Sequence, residues 1–222
     1  MVARGCFAPN LAAGFVLAGG RSSRMGSDKA LQIFAGRPLI GHALGLMEQA
    51  GVAGAIAGSR SPLGAFAVEI PDTYLDAGPL GGIHAALTVT QADLNLFLPV
   101  DMPLMPPSLL RCLLLRATVT GAPVTASRLN GRLEPFPVVL HRSVLPLIAR
   151  TLDGGAARFP SCRAVWEAIP EQLGSLLDAP PVDALMQCGQ VAHRLGLPPV
   201  FWFQNANTPA ELARVNLLAN AP

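Results

Sequence analysis

The chain has 222 residues, of which 51% are hydrophobic and only 14% are charged, and its formal net charge is +2. So large an apolar fraction excludes an intrinsically disordered protein, because burial of that surface can offset the entropy lost on folding. The small net charge argues against a nucleic-acid-binding protein, since the only local group of cations is Arg21, Arg24 and Lys29.

The longest uncharged stretches, at 5–20, 77–92 and 195–210, are each interrupted by Gly, Pro or Asn. A membrane-spanning helix needs about 20 predominantly apolar residues, so we expect no transmembrane segment. The interrupted first stretch also predicts no export signal. Four well separated cysteines without a CxxC pair indicate ordinary buried thiols rather than a zinc site. Together these features predict a cytoplasmic protein.

Predicted strands and helices alternate along the chain. In order, we predict a strand at 14–18, a helix at 38–51, strands at 52–57 and 67–70, a helix at 80–90, a strand at 94–100, a helix at 107–116, strands at 124–129 and 133–140, a helix at 143–151 and a helix that begins after Thr208. This alternation predicts an α/β fold with a mostly parallel sheet. Asn130-Gly131 predicts a hairpin with an antiparallel portion, and Pro135 and Pro137 favour the edge of the sheet for its second strand.

The stretch 153–200 gives the weakest signals, because Gly-Gly and Pro-Pro pairs interrupt its helical patterns. The chain shows neither an internal repeat nor a clear linker. We therefore predict a single domain over residues 1–222, in which 153–200 forms an insertion or a small subdomain.

A glycine-rich loop with three cations follows the first predicted strand. From Leu17 to Lys29 its sequence is LAGGRSSRMGSDK. Glycines let the backbone turn tightly towards an anion, while Arg24 and Lys29 can neutralise phosphate oxygens. We therefore predict a phosphate-binding loop in which the N–H groups of residues 18–21 contact phosphate. The loop is not a Walker A motif, because Ala30 follows the lysine. The alternative is a polar surface loop with turn glycines.

Asp101 closes a buried strand in the sequence FLPVDMP. Such a position lies at the carboxyl edge of the sheet, where open α/β folds bind their ligands. Carboxylate oxygens suit Mg²⁺, which bridges nucleotide phosphates. The sequence therefore predicts Asp101 as a magnesium ligand, and the alternative is a residue that caps a turn before Pro103.

Two further motifs lie near predicted helix starts. Gly78, Gly81 and Gly82 would let a ligand approach the backbone closely, because they carry no side chain. Asn205 and Asn207 precede the last helix, whose N-terminus attracts negative groups. A turn that leads into a core helix is the alternative for the glycines, and turn formation is the alternative for the asparagines.

Together these motifs closely resemble those of the MobA family of molybdenum cofactor guanylyltransferases. The matching stretches are LAGGRSSRMGSDKAL at 17–31, GRPLI at 36–40, GPLGGIHAAL at 78–87, PVDMPLMPPSLL at 99–110 and NANTPAEL at 205–212. The resemblance implies a Rossmann-like, three-layer nucleotidyltransferase fold with a mostly parallel, mixed sheet. It also implies transfer of GMP from Mg-GTP to the terminal phosphate of (molybdenum-)molybdopterin, which forms the guanine dinucleotide cofactor and pyrophosphate.

The resemblance also assigns site residues. The nucleotide-binding set would comprise Leu17, Ala18, Gly19, Gly20, Lys29, Asp72, Gly81, Gly82 and Asp101, and the pterin side would comprise Asn205 and Asn207. Asp101 would hold the Mg²⁺, and Arg24, Lys29 and Asp101 would be the catalytic residues. The chain departs from the family at Ala57, where the family often has Asn, and in the greater length of 153–200.

The expected chemistry follows from charge. The acceptor phosphate and the triphosphate repel each other because both are anions. Mg²⁺ on Asp101, together with Arg24 and Lys29, would neutralise this repulsion and the charge of the departing pyrophosphate. An acceptor phosphate that is already ionised needs no general base.

Alternatives stay open, because the loop alone does not specify the base. They are a related cytidylyltransferase, a sugar-phosphate nucleotidyltransferase and a non-catalytic nucleotide-binding homologue, although Lys29 and Asp101 argue against the last. We expect GTP and molybdopterin as substrates, with transient contacts to molybdopterin-processing proteins or molybdoenzymes. We expect neither a nucleic acid nor a membrane as a partner.

Overall fold

The computed structural model describes residues 11–19, 28–59, 62–154 and 159–220. These residues form a seven-stranded main sheet and a small two-stranded sheet, β2 with β3. The strands are β1 (Ala12–Leu17), β2 (Ile33–Phe34), β3 (Arg37–Pro38), β4 (Gly54–Ala57), β5 (Glu69–Ile70), β6 (Leu94–Pro99), β7 (Val124–Leu129), β8 (Arg132–His141) and β9 (Leu177–Asp178). The order across the main sheet is β5-β4-β1-β6-β8-β7-β9.

One half of the main sheet is parallel. β1 pairs in parallel with β4 on one side and with β6 on the other, and β5 extends the sheet beyond β4. Most residues of β1 and β6 are buried, as their continuous apolar runs predicted, because helices cover both faces of a parallel sheet. The carboxyl ends of β1, β4 and β6 meet at one edge, so the loops that follow these strands share one surface.

The other half contains the predicted hairpin, β7 with β8. The turn residues Asn130 and Gly131 have φ angles of 50° and 77°, as a two-residue hairpin turn requires. β8 pairs with β6 and β7, antiparallel to both, so the sheet is mixed and the prediction of an antiparallel portion is confirmed.

The prediction that the second hairpin strand lies at the edge of the sheet is wrong, since β8 lies between β6 and β7. The prolines Pro135 and Pro137 are tolerated because the β7–β8 register shifts between Thr125 and Ser127. The shift leaves residues 135–138 in a bulge outside the ladder with β7, where a missing N–H donor costs no hydrogen bond to that strand.

Helices flank the sheet on both faces. They are α1 (Leu39–Ala50), α2 (Pro79–Val89), α3 (Pro107–Thr120), α4 (Leu145–Asp153), α5 (Cys162–Leu173), α6 (Val182–Gln187), α7 (Pro199–Trp202) and α8 (Pro209–Ala219). The crossovers through α1 and α2 run in opposite directions across the sheet, so their right-handedness places them on opposite faces. α1 packs against α3, and α2 packs against α4. The predicted three-layer α/β fold is confirmed. Within the described ranges, no helix is both long and apolar enough to cross a lipid bilayer.

Much of the stretch 153–200 packs on the antiparallel half of the sheet. β9 pairs with β7, and α5 contacts β8. Two hydrogen bonds fasten α5 there: Arg163 Nε donates to Leu133 O at 2.6 Å, and the indole N–H of Trp166 donates to Pro135 O at 3.1 Å. This part of the chain is therefore joined to the sheet along β7 and β8.

Three cysteines fall within the described residues, and all three are free thiols. Cys112 and Cys162 are buried, as expected, and burial raises the pKa of Cys162 to about 12. Cys188 is exposed, so the expectation of a buried thiol is wrong there. Cys6 lies outside the described residues.

We expect residues 153–200 to unfold together with the rest of the chain as one domain, because buried residues from β1 to α8 form one continuous core. The sequence has two tryptophans, so a Trp202→Phe variant leaves Trp166 as the only reporter. Its fluorescence and the far-UV circular dichroism should change at the same urea concentration. A separate fluorescence transition would instead indicate an independent subdomain.

Candidate active site

A cavity of about 550 Å³ opens at the carboxyl ends of the parallel strands. Its walls come from the loops after β1, β4 and β6, from the start of α2, from the bulge of β8 and from the segment before α8. The lining residues are Leu17, Ala18, Gly19, Lys29, Ala57, Gly58, Asp72, Gly78, Pro79, Gly82, Pro99, Val100, Asp101, Met102, Glu134, Pro135, Phe136, Phe203, Asn205 and Asn207. Open α/β sheets bind their ligands at this position.

Glycines bring the loops after β1 and β4 into direct contact. A Cβ atom on Gly19 would lie 2.4 Å from the carbonyl oxygen of Gly58, and Gly58 itself has a φ of +73°. A Cβ atom on Gly82 would lie 3.4 Å from Gly58 N. The carboxylate of Asp72 lies beside this corner, 3.0 Å from the position that a Cβ of Gly58 would take. Close packing of these loops therefore requires glycine, because a side chain would meet the neighbouring main chain or the carboxylate of Asp72.

Lys29, Asp101 and Asn207 meet in this cavity. Lys29 Nζ donates to Asp101 Oδ2 at 2.6 Å and to Asn207 Oδ1 at 2.5 Å. The side chains of Lys29 and Asp101 are only 16% and 15% exposed, so their charges attract each other more strongly than they would at the surface. Lys29 is 72 positions from Asp101 and 178 positions from Asn207, and only the fold brings the three together.

Local hydrogen bonds hold the lysine in place. Lys29 begins a short 3-10 helix over Lys29–Leu31, and Asp28 caps that helix. Asp28 Oδ1 accepts a hydrogen bond from Ala30 N at 2.9 Å. The acidic residue next to the lysine therefore has a structural role, since its carboxylate is used by the main chain.

The segment before α8 is fastened to the end of β6. Ala206 N donates to Asp101 O at 2.8 Å. Asn207 N donates to Glu211 Oε2 at 2.8 Å, and Thr208 Oγ1 accepts from Glu211 N. The predicted capping of the last helix therefore also positions the asparagine side chain that contacts the lysine.

The second oxygen of Asp101 fits a cation. Asp101 Oδ1 is buried and has no hydrogen-bond partner among the described residues, and such an unpaired buried oxygen costs free energy unless another group satisfies it. The described part of the chain contains no cluster of three or more His, Cys, Asp or Glu that could hold a metal ion. A cation at Asp101 would therefore take its other ligands from substrate phosphates and water, as Mg²⁺ commonly does.

A second wall of the cavity was not predicted from the sequence. It is formed by Glu134, Phe136 and Phe203. The Glu134 side chain is 20% exposed and lies 3.8 Å from the guanidinium of Arg163. Burial raises the pKa of Glu134, and the charge of Arg163 opposes this rise. The only sequence signal for this wall was the pair of prolines in a predicted strand. The prolines indicated that the strand is irregular, but not which way its irregular part faces.

Most of the predicted site residues line the cavity. They are Leu17, Ala18, Gly19, Lys29, Asp72, Gly82, Asp101, Asn205 and Asn207. Gly81 is not among the lining residues, and its Cβ would lie 2.9 Å from Tyr74 O, so close packing accounts for this glycine. Gly20 and Arg24 lie outside the described residues.

Two local expectations change. Ala18 N donates to Ala57 O at 3.1 Å, in continuation of the β1–β4 pairing, so the prediction that every N–H of residues 18–21 contacts phosphate is wrong for Ala18. Gly58, which was not among the predicted site residues, provides the oxygen against which Gly19 packs. The sequence signal available for Gly58 was its position directly after the short predicted strand at 52–57.

The comparison with known families agrees with this geometry. The sequence profile described as the MobA-like NTP transferase domain matches residues 14–168. The chain belongs to the MobA-like NTP transferase family. The resemblance carried by the sequence motifs is thereby confirmed, and this MobA-like chain is a nucleotidyltransferase by family.

Its relatives include curated guanylyltransferases. The molybdenum cofactor guanylyltransferase of Xanthomonas euvesicatoria pv. vesicatoria is 46% identical over 157 residues, which cover 70% of this chain and 78% of the relative. The molybdenum cofactor guanylyltransferase of Acidovorax ebreus is 34% identical over 215 residues, which cover 90% and 92%. The crystal structure of molybdopterin-guanine dinucleotide biosynthesis protein A from Archaeoglobus fulgidus has the same fold, with a TM-score of 0.70, 21% identity and coverage of 95% and 100%.

In this MobA-like chain, we expect Gly19→Ala to weaken nucleotide binding about 10-fold or more, because the new Cβ forces the loops after β1 and β4 apart. The same change should lower the free energy of unfolding by about 1–3 kcal/mol. Urea unfolding and calorimetric nucleotide binding measure the two effects. Gly41→Ala is the control, since its Cβ would lie 3.9 Å from the nearest Phe66 atom. Unchanged nucleotide affinity in Gly19→Ala would contradict the prediction.

Proposed function

We propose that this protein transfers GMP from Mg-GTP to the terminal phosphate of (molybdenum-)molybdopterin, with the guanine dinucleotide cofactor and pyrophosphate as products. The observation that carries the proposal is the Lys29–Asp101 pair in a cavity at the carboxyl edge of the sheet. The curated relatives that bear the name molybdenum cofactor guanylyltransferase support the choice of substrates.

Lys29 would bind phosphate, and its hydrogen bonds support this role. An ammonium group has three N–H donors, and Asp101 and Asn207 accept two of them. The third can bind a phosphate oxygen while the other two keep the group in position. The low exposure of Lys29 strengthens this interaction, because little water screens the charge.

Asp101 would hold the magnesium ion, and its buried Oδ1 atom, which has no hydrogen-bond partner among the described residues, supports this role. When bound there, Mg²⁺ would supply positive charge that offsets the repulsion between the two anionic substrates and stabilises the pyrophosphate. The acceptor phosphate monoester is largely ionised at neutral pH, because its second pKa is about 6, so no residue has to remove a proton from it. The residues of the chain act by orientation and charge compensation.

The choice of guanine rests on the relatives rather than on a base contact. Ala57, which stands where the family often has Asn, is among the residues that line the cavity, and its side chain has no hydrogen-bonding group for a base. A cytidylyltransferase on the same fold is therefore the alternative that an assay has to exclude.

The base preference is tested by incubating the purified protein with Mg²⁺, molybdopterin and labelled GTP or CTP. We expect release of pyrophosphate and transfer of label from GTP, with transfer from CTP at least about 10-fold slower, a ratio equivalent to 1.4 kcal/mol in the activation free energy. Reactions without molybdopterin are the control. Equal or faster transfer from CTP would favour the cytidylyltransferase, and no transfer from either nucleotide would refute the proposal.

The metal role is tested by Asp101→Asn, which preserves the shape of the side chain but removes its charge. We expect the transfer rate to fall at least about 100-fold, because the metal loses its carboxylate ligand. Asp93→Asn is the matched control, since Asp93 is exposed and lies just before the other end of β6. Circular dichroism checks the fold of both variants. A fully active Asp101→Asn variant would remove Asp101 from the metal role.

We infer a cytoplasmic location for this reaction. The three free cysteines among the described residues, one of them exposed, fit a reducing compartment. A labile product has to be handed on, so transient contacts with molybdopterin-processing proteins or molybdoenzymes belong to the proposed function.

A further inference from the structure

The two substrates of the proposed reaction carry heterocycles with the same hydrogen-bonding edge. The guanine of GTP and the pterin of the acceptor each present an exocyclic amino group beside a ring N–H. A carboxylate can accept both donors side by side, and such charge-assisted hydrogen bonds are among the strong ones. A cavity that binds both substrates therefore needs to place each ring at its own position.

The cavity has a carboxylate on either side of the Lys29–Asp101 pair. Asp72 follows β5, at one border of the main sheet, whereas Glu134 lies on β8. The strands run in the order β5-β4-β1-β6-β8, with Asp101 after β6, so Asp72 and Glu134 lie on opposite sides of the central pair. The reacting phosphates have to meet near Lys29, since reaction requires contact of about 3–3.5 Å. The two heterocycles therefore extend in opposite directions.

The side that suits GTP is the one beside the glycine-rich loop after β1, which the sequence predicts to bind phosphate. Gly19, Gly58 and Gly82 line the cavity there, beside Asp72. A nucleotide bound on this side leaves the other side of the cavity for the acceptor. The residues that line the cavity there are Glu134, Phe136 and Phe203.

The wall on the β8 side is built and held firmly. The main chain on either side of Glu134 is anchored to α5, because Leu133 O accepts from Arg163 Nε and Pro135 O accepts from the indole of Trp166. The guanidinium of Arg163 lies 3.8 Å from the Glu134 carboxylate and favours its ionised form. This wall thus combines one carboxylate with two aromatic side chains, which suits a flat ring with hydrogen-bond donors along one edge.

We propose that Glu134 accepts hydrogen bonds from the amino group and the adjacent ring N–H of the acceptor's pterin, while Phe136 and Phe203 pack against the ring. Glu134 is then a specificity-determining residue of the acceptor pocket. The assignment rests on the proposed function for the identity of the acceptor, but its test measures binding and needs no transfer reaction.

Glu134→Gln is the first test, because it turns one accepting oxygen into a donor that faces the pterin donors. The probes are 6-hydroxymethylpterin, followed by its fluorescence, and Mg-GTP, followed by calorimetry. We expect the pterin affinity to fall about 10-fold or more and the GTP affinity to stay within about twofold. Glu167→Gln, which alters an exposed carboxylate on α5, should change neither affinity. Loss of GTP affinity with unchanged pterin affinity would assign Glu134 to guanine and overturn the proposal.

The second test changes the ligand and leaves the protein intact. In 6-hydroxymethyllumazine a carbonyl oxygen replaces the amino group, so the unaltered protein should bind it about 10-fold more weakly than the pterin. The difference should largely vanish in Glu134→Gln. Equal affinity of the unaltered protein for the two ligands, or no binding of the pterin, would overturn the proposal. Tight pterin binding without guanylyl transfer would refute the proposed function and leave the pterin pocket in place.

Discussion

One ammonium group holds the site together. Lys29 Nζ donates to a carboxylate at the end of β6 and to an amide oxygen just before α8, and little water screens the contact with the carboxylate. Loss of Asp101 would leave a poorly solvated ammonium without a countercharge, which is costly in free energy, and loss of Asn207 would remove one of its hydrogen-bond acceptors. The parallel pairing of β1 with β6, the capped 3-10 helix and the capped α8 all serve to bring these three side chains to one point.

Local sequence signals predicted the parts of the fold that local interactions determine. The continuous apolar runs of β1 and β6, the glycine that ends α1 in a left-handed conformation and the Asn130-Gly131 turn needed no knowledge of distant residues. The central position of β8 was mispredicted, because its bulge depends on pairing with both neighbours at once. Short elements such as β9 and α6 were missed, since they depend on packing against β7 rather than on their own propensity.

The residues of the candidate site also fall into those that a local sequence signal predicted and those that only the fold brings together. Lys29 and Asp101 stood out because the chain carries so few charges and because each follows an apolar strand. Gly58 and Glu134 were overlooked, since a glycine after a strand and a glutamate beside prolines do not by themselves indicate a binding site. Each acquires its position in the site from a loop or helix that only the fold brings close. For Ala18 the sequence predicted the position but not the hydrogen bonding. Its N–H group, which a ligand would need, is used by β-sheet pairing with Ala57.

The hydrogen bond from Ala206 N to Asp101 O cannot form on the ribosome until residue 206 has been synthesised. The ribosome synthesises β1, the glycine loop and Asp101 before the segment that precedes α8. At typical rates the interval between Asp101 and Asn207 is on the order of ten seconds. During that interval the nascent chain has Lys29 and Asp101, the proposed phosphate-binding and metal-binding residues, but lacks Asn207, whose side-chain oxygen accepts a hydrogen bond from Lys29 Nζ. A growing chain therefore cannot form the contact between Lys29, Asp101 and Asn207 before residue 207 has been made.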